Sequence, residues 1–122
     1  MRLVRLESAK SGATAEGRRV LSAVTATSLA PTTSDQGVPL RGGEGFWAEV
    51  VLGGTTPEFD VQYWVYSYTA LAWLPFSTGV YTASIRDRFV CPGGPIRVYA
   101  QVTAVSGTNP TMSLWLVEYY GE

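Results

Sequence analysis

The sequence predicts an all-β protein, an antiparallel β-sandwich of about eight strands of jelly-roll or immunoglobulin-like type, with a flexible N-terminal third. Apolar residues alternate with period two in four separate runs, and clusters of Gly, Pro, Thr, Ser and Asn separate those runs. Past the first twenty residues no segment keeps a helical period for two turns. Strands recurring every 8–12 residues between such turns are the pattern of a sandwich or barrel.

Taken in order, the expected strands are 2–6, 18–27, 45–52, 59–67, 71–76, 80–86, 87–91 with 95–105 following, and 111–119. In the second, Val20, Ser22, Val24 and Ala26 alternate with Arg19, Leu21, Ala23 and Thr25. In the third, Phe46, Ala48, Val50 and Leu52 alternate with Trp47, Glu49 and Val51. In the fourth, Phe59, Val61, Tyr63 and Val65 alternate with Asp60, Gln62, Trp64 and Tyr66. Gly53-Gly54-Thr55-Thr56-Pro57 between these two reads as a hairpin loop. Pro92-Gly93-Gly94-Pro95 precedes the run Ile96, Val98, Ala100, Val102, Ala104, and Ser106-Gly107-Thr108-Asn109-Pro110 separates it from the last strand.

A length of 122 residues corresponds to one domain, 1–122. Residues 7–17 are small and polar, and residues 29–45 are rich in Pro, Thr, Ser and Gly without periodicity. Residues 1–44 therefore read as an arm-like region with one or two strands, and 45–120 as the compact core. An unpatterned stretch as long as 29–45 points to function, disorder or ordering by a partner.

Composition narrows the function. The hydrophobic fraction is 46% and the charged fraction 16%, which excludes a disordered chain and leaves few charges to coat the outside. Apolar surface is expected to be covered by another chain or a ligand. Net charge is −1 with no run of like charges, so no nucleic-acid footprint is visible. Lys10 is the one lysine; the other cations are arginines, the residue favoured at interfaces. The start of the chain has no apolar signal core and residues 70–75 are too short to span a membrane, so a soluble protein from a reducing compartment is expected. Cys91, the single cysteine, reads as a buried structural thiol.

The chain has no histidine, which removes Ser-His-Asp and Cys-His catalysis and ordinary zinc sites. No phosphate-binding glycine loop is present, because Gly42-Gly43-Glu44-Gly45 lacks the flanking strand and helix. Glu49, Glu58, Asp60 and Asp87 are the carboxylates of the strand region, and two could in principle act on a glycosidic bond. Solvated strand faces and loop caps explain them better, so catalytic, cofactor and metal sites are expected to be absent.

The aromatic residues carry more information. Trp64, Tyr66 and Tyr68 recur at i, i+2 and i+4, and Trp73 sits in the apolar run 70–76. Trp115 and Tyr119, with Val117, oppose Met112, Leu114 and Leu116. A strand with two apolar faces in a sandwich indicates burial in the core or against another subunit, and Trp64, Tyr66, Tyr68, Trp73, Trp115 and Tyr119 are the candidate interface. The alternative is a carbohydrate-binding module in which exposed rings stack on sugars.

Two segments carry a resemblance: Phe59-Asp60-Val61-Gln62-Tyr63-Trp64-Val65-Tyr66, and the stretch from Arg97 through Ser106-Gly107-Thr108-Asn109-Pro110 to Leu116. Over about residues 45–120 the chain resembles small β-sandwich structural proteins of tailed bacteriophage virions, such as capsid decoration (cement) and minor head proteins. The resemblance implies a non-enzymatic virion subunit, assembled in the bacterial host cytoplasm. Its partners would be its own copies, most often as a trimer, and a major capsid or other virion protein. It transfers no binding residue, cofactor, nucleic acid or membrane.

Overall fold

The computed structural model describes residues 18–40, 45–90 and 96–119. The expected strand 2–6, the polar stretch 7–17, Cys91 and the 92–95 turn lie outside them. The described residues form one antiparallel sheet of six strands and no helix. These are β1 (Arg18–Val24), β2 (Val38–Leu40), β3 (Gly45–Ser67), β4 (Ala72–Tyr81), β5 (Ile85–Val90) and β6 (Ile96–Tyr119).

β3 and β6, of 23 and 24 residues, are the frame, paired from Gly45↔Tyr119 to Tyr66↔Arg97. Each expected pair of strands, 45–52 with 59–67 and 95–105 with 111–119, is thus one continuous strand. The expected hairpin at 53–57 is corrected: its two arms do not pair with each other, and both pair with β6. Likewise 71–76 and the start of 80–86 merge into β4, while residues 82–84 break the chain before β5.

The frame bends where those glycine-rich stretches meet. Gly54-Thr55-Thr56-Pro57 lies against Gly107-Thr108-Asn109-Pro110, with Thr55 opposite Thr108 and register shifts on both sides. Each strand spends two residues at positive φ in the same order: Gly54 (100°) and Thr56 (44°), Gly107 (114°) and Asn109 (50°). A side chain on Gly107 would sit 2.6 Å from the Thr56 carbonyl oxygen, so this tight approach requires glycine. The pattern Gly-Thr-X-Pro recurs once in each long strand and marks the bend.

Across the bend the strand doubles back. Phe46 and Tyr63 are seventeen residues apart on β3, roughly 55 Å for a straight strand, yet their ring centroids are 6.1 Å apart. The sheet therefore has two halves facing each other. One half runs β5, the start of β3, the end of β6, β1; the other runs β4, the end of β3, the start of β6, β2. Between them lie Phe46, Ala48, Val50, Phe59, Val61, Tyr63, Val98, Val102, Met112, Leu114 and Leu116, all essentially inaccessible.

The edges are less regular. β1 ends at Val24 rather than 27, and register shifts after Arg19 and Leu21 let both Val20 and Leu21 pack on the core instead of alternating. Segment 29–45 supplies β2, which pairs Val38–Leu40 with residues 96–98. Leu71, in the turn before β4, holds φ 55° while 72% exposed. A left-handed conformation costs a non-glycine residue roughly 1–2 kcal/mol, partly offset by the unfolded-state freedom of glycine. Leu71→Gly is expected to stabilise the protein by about 0.5–1 kcal/mol, read as a higher midpoint in urea unfolding.

Candidate interaction surfaces

The outward face of the β4-side half carries the first aromatic cluster. Tyr66 stands opposite Trp73 on β4 and Arg97 on β6. Tyr66 packs edge-to-face on Tyr68 (5.1 Å) and Trp73 (5.4 Å), and Trp73 on Tyr99 (6.0 Å). Trp64 lies beside this group, opposite Tyr99, with its indole N–H donating to Gln101 Oε1 at 2.9 Å.

The chain's own 29–37 segment lies over this cluster. It leaves the sheet edge at Ser28, whose N–H donates to the Val102 carbonyl, and returns at β2. Trp73 donates to the Thr33 carbonyl (2.8 Å) and the Tyr99 hydroxyl to the Leu29 carbonyl (3.1 Å). The Arg97 guanidinium donates to the carbonyls of Asp35, Gln36 and Gly37 at 2.9–3.0 Å. Within the loop, Gln36 Oε1 accepts from the Thr32 and Thr33 N–H groups. Thr33 Oγ1 donates to Asp35 Oδ1, which holds the Asp35 carboxyl below its ordinary range, with the loop backbone and Arg97 adding to the effect. A segment expected to be an unpatterned arm is thus fastened to its own sheet, by one arginine that satisfies three of its carbonyls and by Trp73 and Tyr99, which bond two more. Arg97→Gln should release it, with faster proteolysis within 29–37 and a stability loss of about 1.5–3 kcal/mol.

A different chemistry covers the outward face of the other half. Trp47 and Glu49 of β3 alternate with the buried Phe46, Ala48 and Val50. Register sets Trp47 between Arg88 and Val117, and Glu49 between Arg86 and Trp115, with Arg19 beyond Trp115. Arg86 lies over the Trp47 ring at 4.2 Å, Arg88 over Tyr119 at 4.8 Å, and Arg19 over Trp115 at 5.5 Å. Arg86 also pairs with Glu49 (2.9 Å), and Arg88 Nε donates to the Tyr119 hydroxyl (3.0 Å). Arginine stacked on an indole gains from the ring quadrupole while its apolar stem covers the sheet. Val51 and Val90 of β3 and β5 are exposed as well, at 52% and 59%.

Between the halves lies one buried polar relay. Tyr81 donates to Asp87 Oδ2 at 2.8 Å, and the Tyr63 and Tyr81 hydroxyls are 2.8 Å apart. With the single Tyr81 proton directed at the carboxylate, Tyr63 is the donor to Tyr81. The Tyr81 ring lies over Gly79, where any side chain would collide with it.

The six aromatic residues singled out from sequence therefore divide between two surfaces. Tyr66, Tyr68 and Trp73 come together and Trp64 lies beside them, while Trp115 and Tyr119 belong to the arginine-capped face of the other half. Sequence reasoning missed Tyr99, Trp47, Arg19, Arg86 and Arg88; the alternation of Arg86 and Arg88 around Asp87 was the available signal. The four strand-region carboxylates are also dispersed: Glu49 in its ion pair, Asp87 in the relay, Glu58 and Asp60 beside the bend. Among the described residues no three Asp, Glu, Cys or His side chains group as for a metal, and no helix is long and apolar enough to cross a membrane. The molecule is thus an all-β protein with two aromatic surfaces of unlike chemistry. No family model, curated protein or solved structure matches the chain.

Proposed function

We propose that the chain is a non-enzymatic β-sandwich subunit of a phage or phage-like particle, decorating or stabilising the capsid through subunit–subunit contacts. The observation that carries this reading is the outward face bearing Trp47, Trp115 and Tyr119 among arginines and exposed valines. Aromatic residues and arginine are the types enriched where proteins meet, and charged lysine is depleted there. The doubled-back sheet supplies a rigid plate on which such a face is held by cross-strand register rather than by loops. The strand order of its halves, β1–β6–β3–β5 and β2–β6–β3–β4, suits jelly-roll connections and differs from the ABED and CFG sheets of an immunoglobulin-like domain. The partners in this reading are further copies of the chain, as a trimer, and a major capsid protein, with the virion as the location.

The carbohydrate-binding alternative needs ring faces open to a sugar. A guanidinium occupies the face of Trp47, while Tyr66 and Trp73 pack edge-to-face beneath the 29–37 segment, which leaves Trp64 and the exposed Tyr68 as its platforms. Quantitative mass spectrometry of purified particles from the host of this sequence tests the main reading. The chain should be present in a fixed ratio to the major capsid protein. Its absence from particles, together with glycan binding lost in Trp64→Ala, would transfer the assignment to the alternative.

A further inference from the structure

We infer that the arginine-capped face receives the acidic bend of a second copy of this chain, head to tail. The inference rests on the reading of the chain as an assembly subunit and specifies one of its contacts.

The chemistry of the face selects its ligand. Because Arg19, Arg86 and Arg88 lie over ring planes, those rings are closed to flat stacking by sugars or bases. Arg86 Nε is paired with Glu49 and Arg88 Nε with the Tyr119 hydroxyl, so what the face presents outward is the remaining exposed guanidinium N–H groups, whose geometry matches carboxylates. Stacking also fixes the guanidinium planes, so less rotamer freedom is lost when a carboxylate docks.

The chain carries the complementary surface. Glu58 is exposed and Asp60 half-exposed where the strands leave the bend, opposite Ser106 and Ala104, and no ion pair among the described residues engages either. The described cations outside the arginine face are Arg97, which is committed to three loop carbonyls, and Arg18, which stands opposite Leu116 at the start of β1. Arg88 stands opposite Trp47 near the start of β3, whereas Glu58 and Asp60 lie eleven and thirteen residues further along the same strand, past the bend. Positive and negative poles are thus separated along one body. A cationic patch repels its own image, so a two-fold contact of this face with itself is disfavoured. A face-to-bend contact is heterologous, and its copies close into a ring or extend as a filament. The net charge of −1 does not hold copies apart.

Sedimentation velocity of the full chain tests this. The wild type should associate with concentration, at least about tenfold more weakly in 0.5 M than in 0.05 M NaCl, because exposed charge pairs are screened. Arg88→Glu and Glu58→Arg should each weaken association about tenfold or more, and the double variant carrying both should recover part of it, as charge exchange across one contact requires. Circular dichroism melting establishes that all three variants fold, since both positions are exposed. A wild type that stays monomeric, single variants that associate as before, or a double variant no better than the singles each overturns the inference. Its fate is separable from that of the proposed function. A chain found in particles but monomeric in solution loses only this contact, and one that self-associates but is missing from particles loses only the particle.

Discussion

Phe46→Ala is expected to cost about 3–5 kcal/mol, the range for deleting a fully buried phenylalanine. Phe46 is fully inaccessible, and its ring meets Tyr63 at 6.1 Å, Phe76 at 6.2 Å and Phe89 at 5.1 Å. These neighbours belong to the far end of the same strand, to β4 and to β5, so one side chain joins the two halves of the sheet. Because the long strands are held open or shut by what lies between them, the cavity cannot close by local rearrangement. A domain of this size has about 5–15 kcal/mol in total, so the loss is a large fraction of the whole and should show as a much lower urea midpoint. Urea unfolding followed by tryptophan fluorescence measures the difference. Val51→Ala, on the outward face two positions beyond Glu49, serves as the control and should change stability by less than about 0.5 kcal/mol. A Phe46→Ala loss below about 2 kcal/mol would mean that the halves do not close on this ring.

The buried faces were legible because period two is a direct consequence of the pleat. Phe46, Ala48, Val50, then Phe59, Val61, Tyr63, and Val98, Ala100, Val102 alternate in sequence and are buried in the structure. The bend was misread for a physical reason: Gly, Thr, Asn and Pro serve both a hairpin and a bulged corner. What distinguishes the two is whether the flanking runs pair with each other or with a common neighbour, and that is a long-range fact. The paired Gly-Thr-X-Pro motifs held the only local hint. Trp64, Tyr66, Tyr68, Trp73, Trp115 and Tyr119 were visible as alternating aromatics, yet their division between two surfaces depends on the bend. The arginine caps depend on register, since Arg88 meets Trp47 and Arg19 meets Trp115 only through cross-strand pairing. The 29–37 segment looked unpatterned because its order comes from Arg97, Trp73 and Tyr99, all distant in sequence.

The Tyr63–Tyr81–Asp87 relay should make the fold sensitive to alkali and to loss of a single oxygen. Burial pushes both phenols above the ordinary tyrosine range, and the Asp87 carboxylate nearby adds to the effect in each. In the unfolded chain tyrosine ionises near pH 10, so the contribution of these groups is complete below that pH. Above about pH 10 the unfolded state gives up protons that the folded state keeps, and stability falls as pH rises toward the folded values. The slope is at most about 1.4 kcal/mol per pH unit for each phenol. Tyr81→Phe removes one of the two titrating groups, so its alkaline slope should be shallower than that of the wild type. At pH 7 the same substitution leaves Asp87 without its donor and Tyr63 without its acceptor, which should cost about 1–3 kcal/mol. Tyr63→Phe removes only the terminal donor and should cost less, about 0.5–1.5 kcal/mol. Urea unfolding of the three proteins at pH 7, 10 and 11 checks both claims. Equal slopes in wild type and Tyr81→Phe, or a larger loss at pH 7 in Tyr63→Phe, would place the critical hydrogen bond elsewhere in the core.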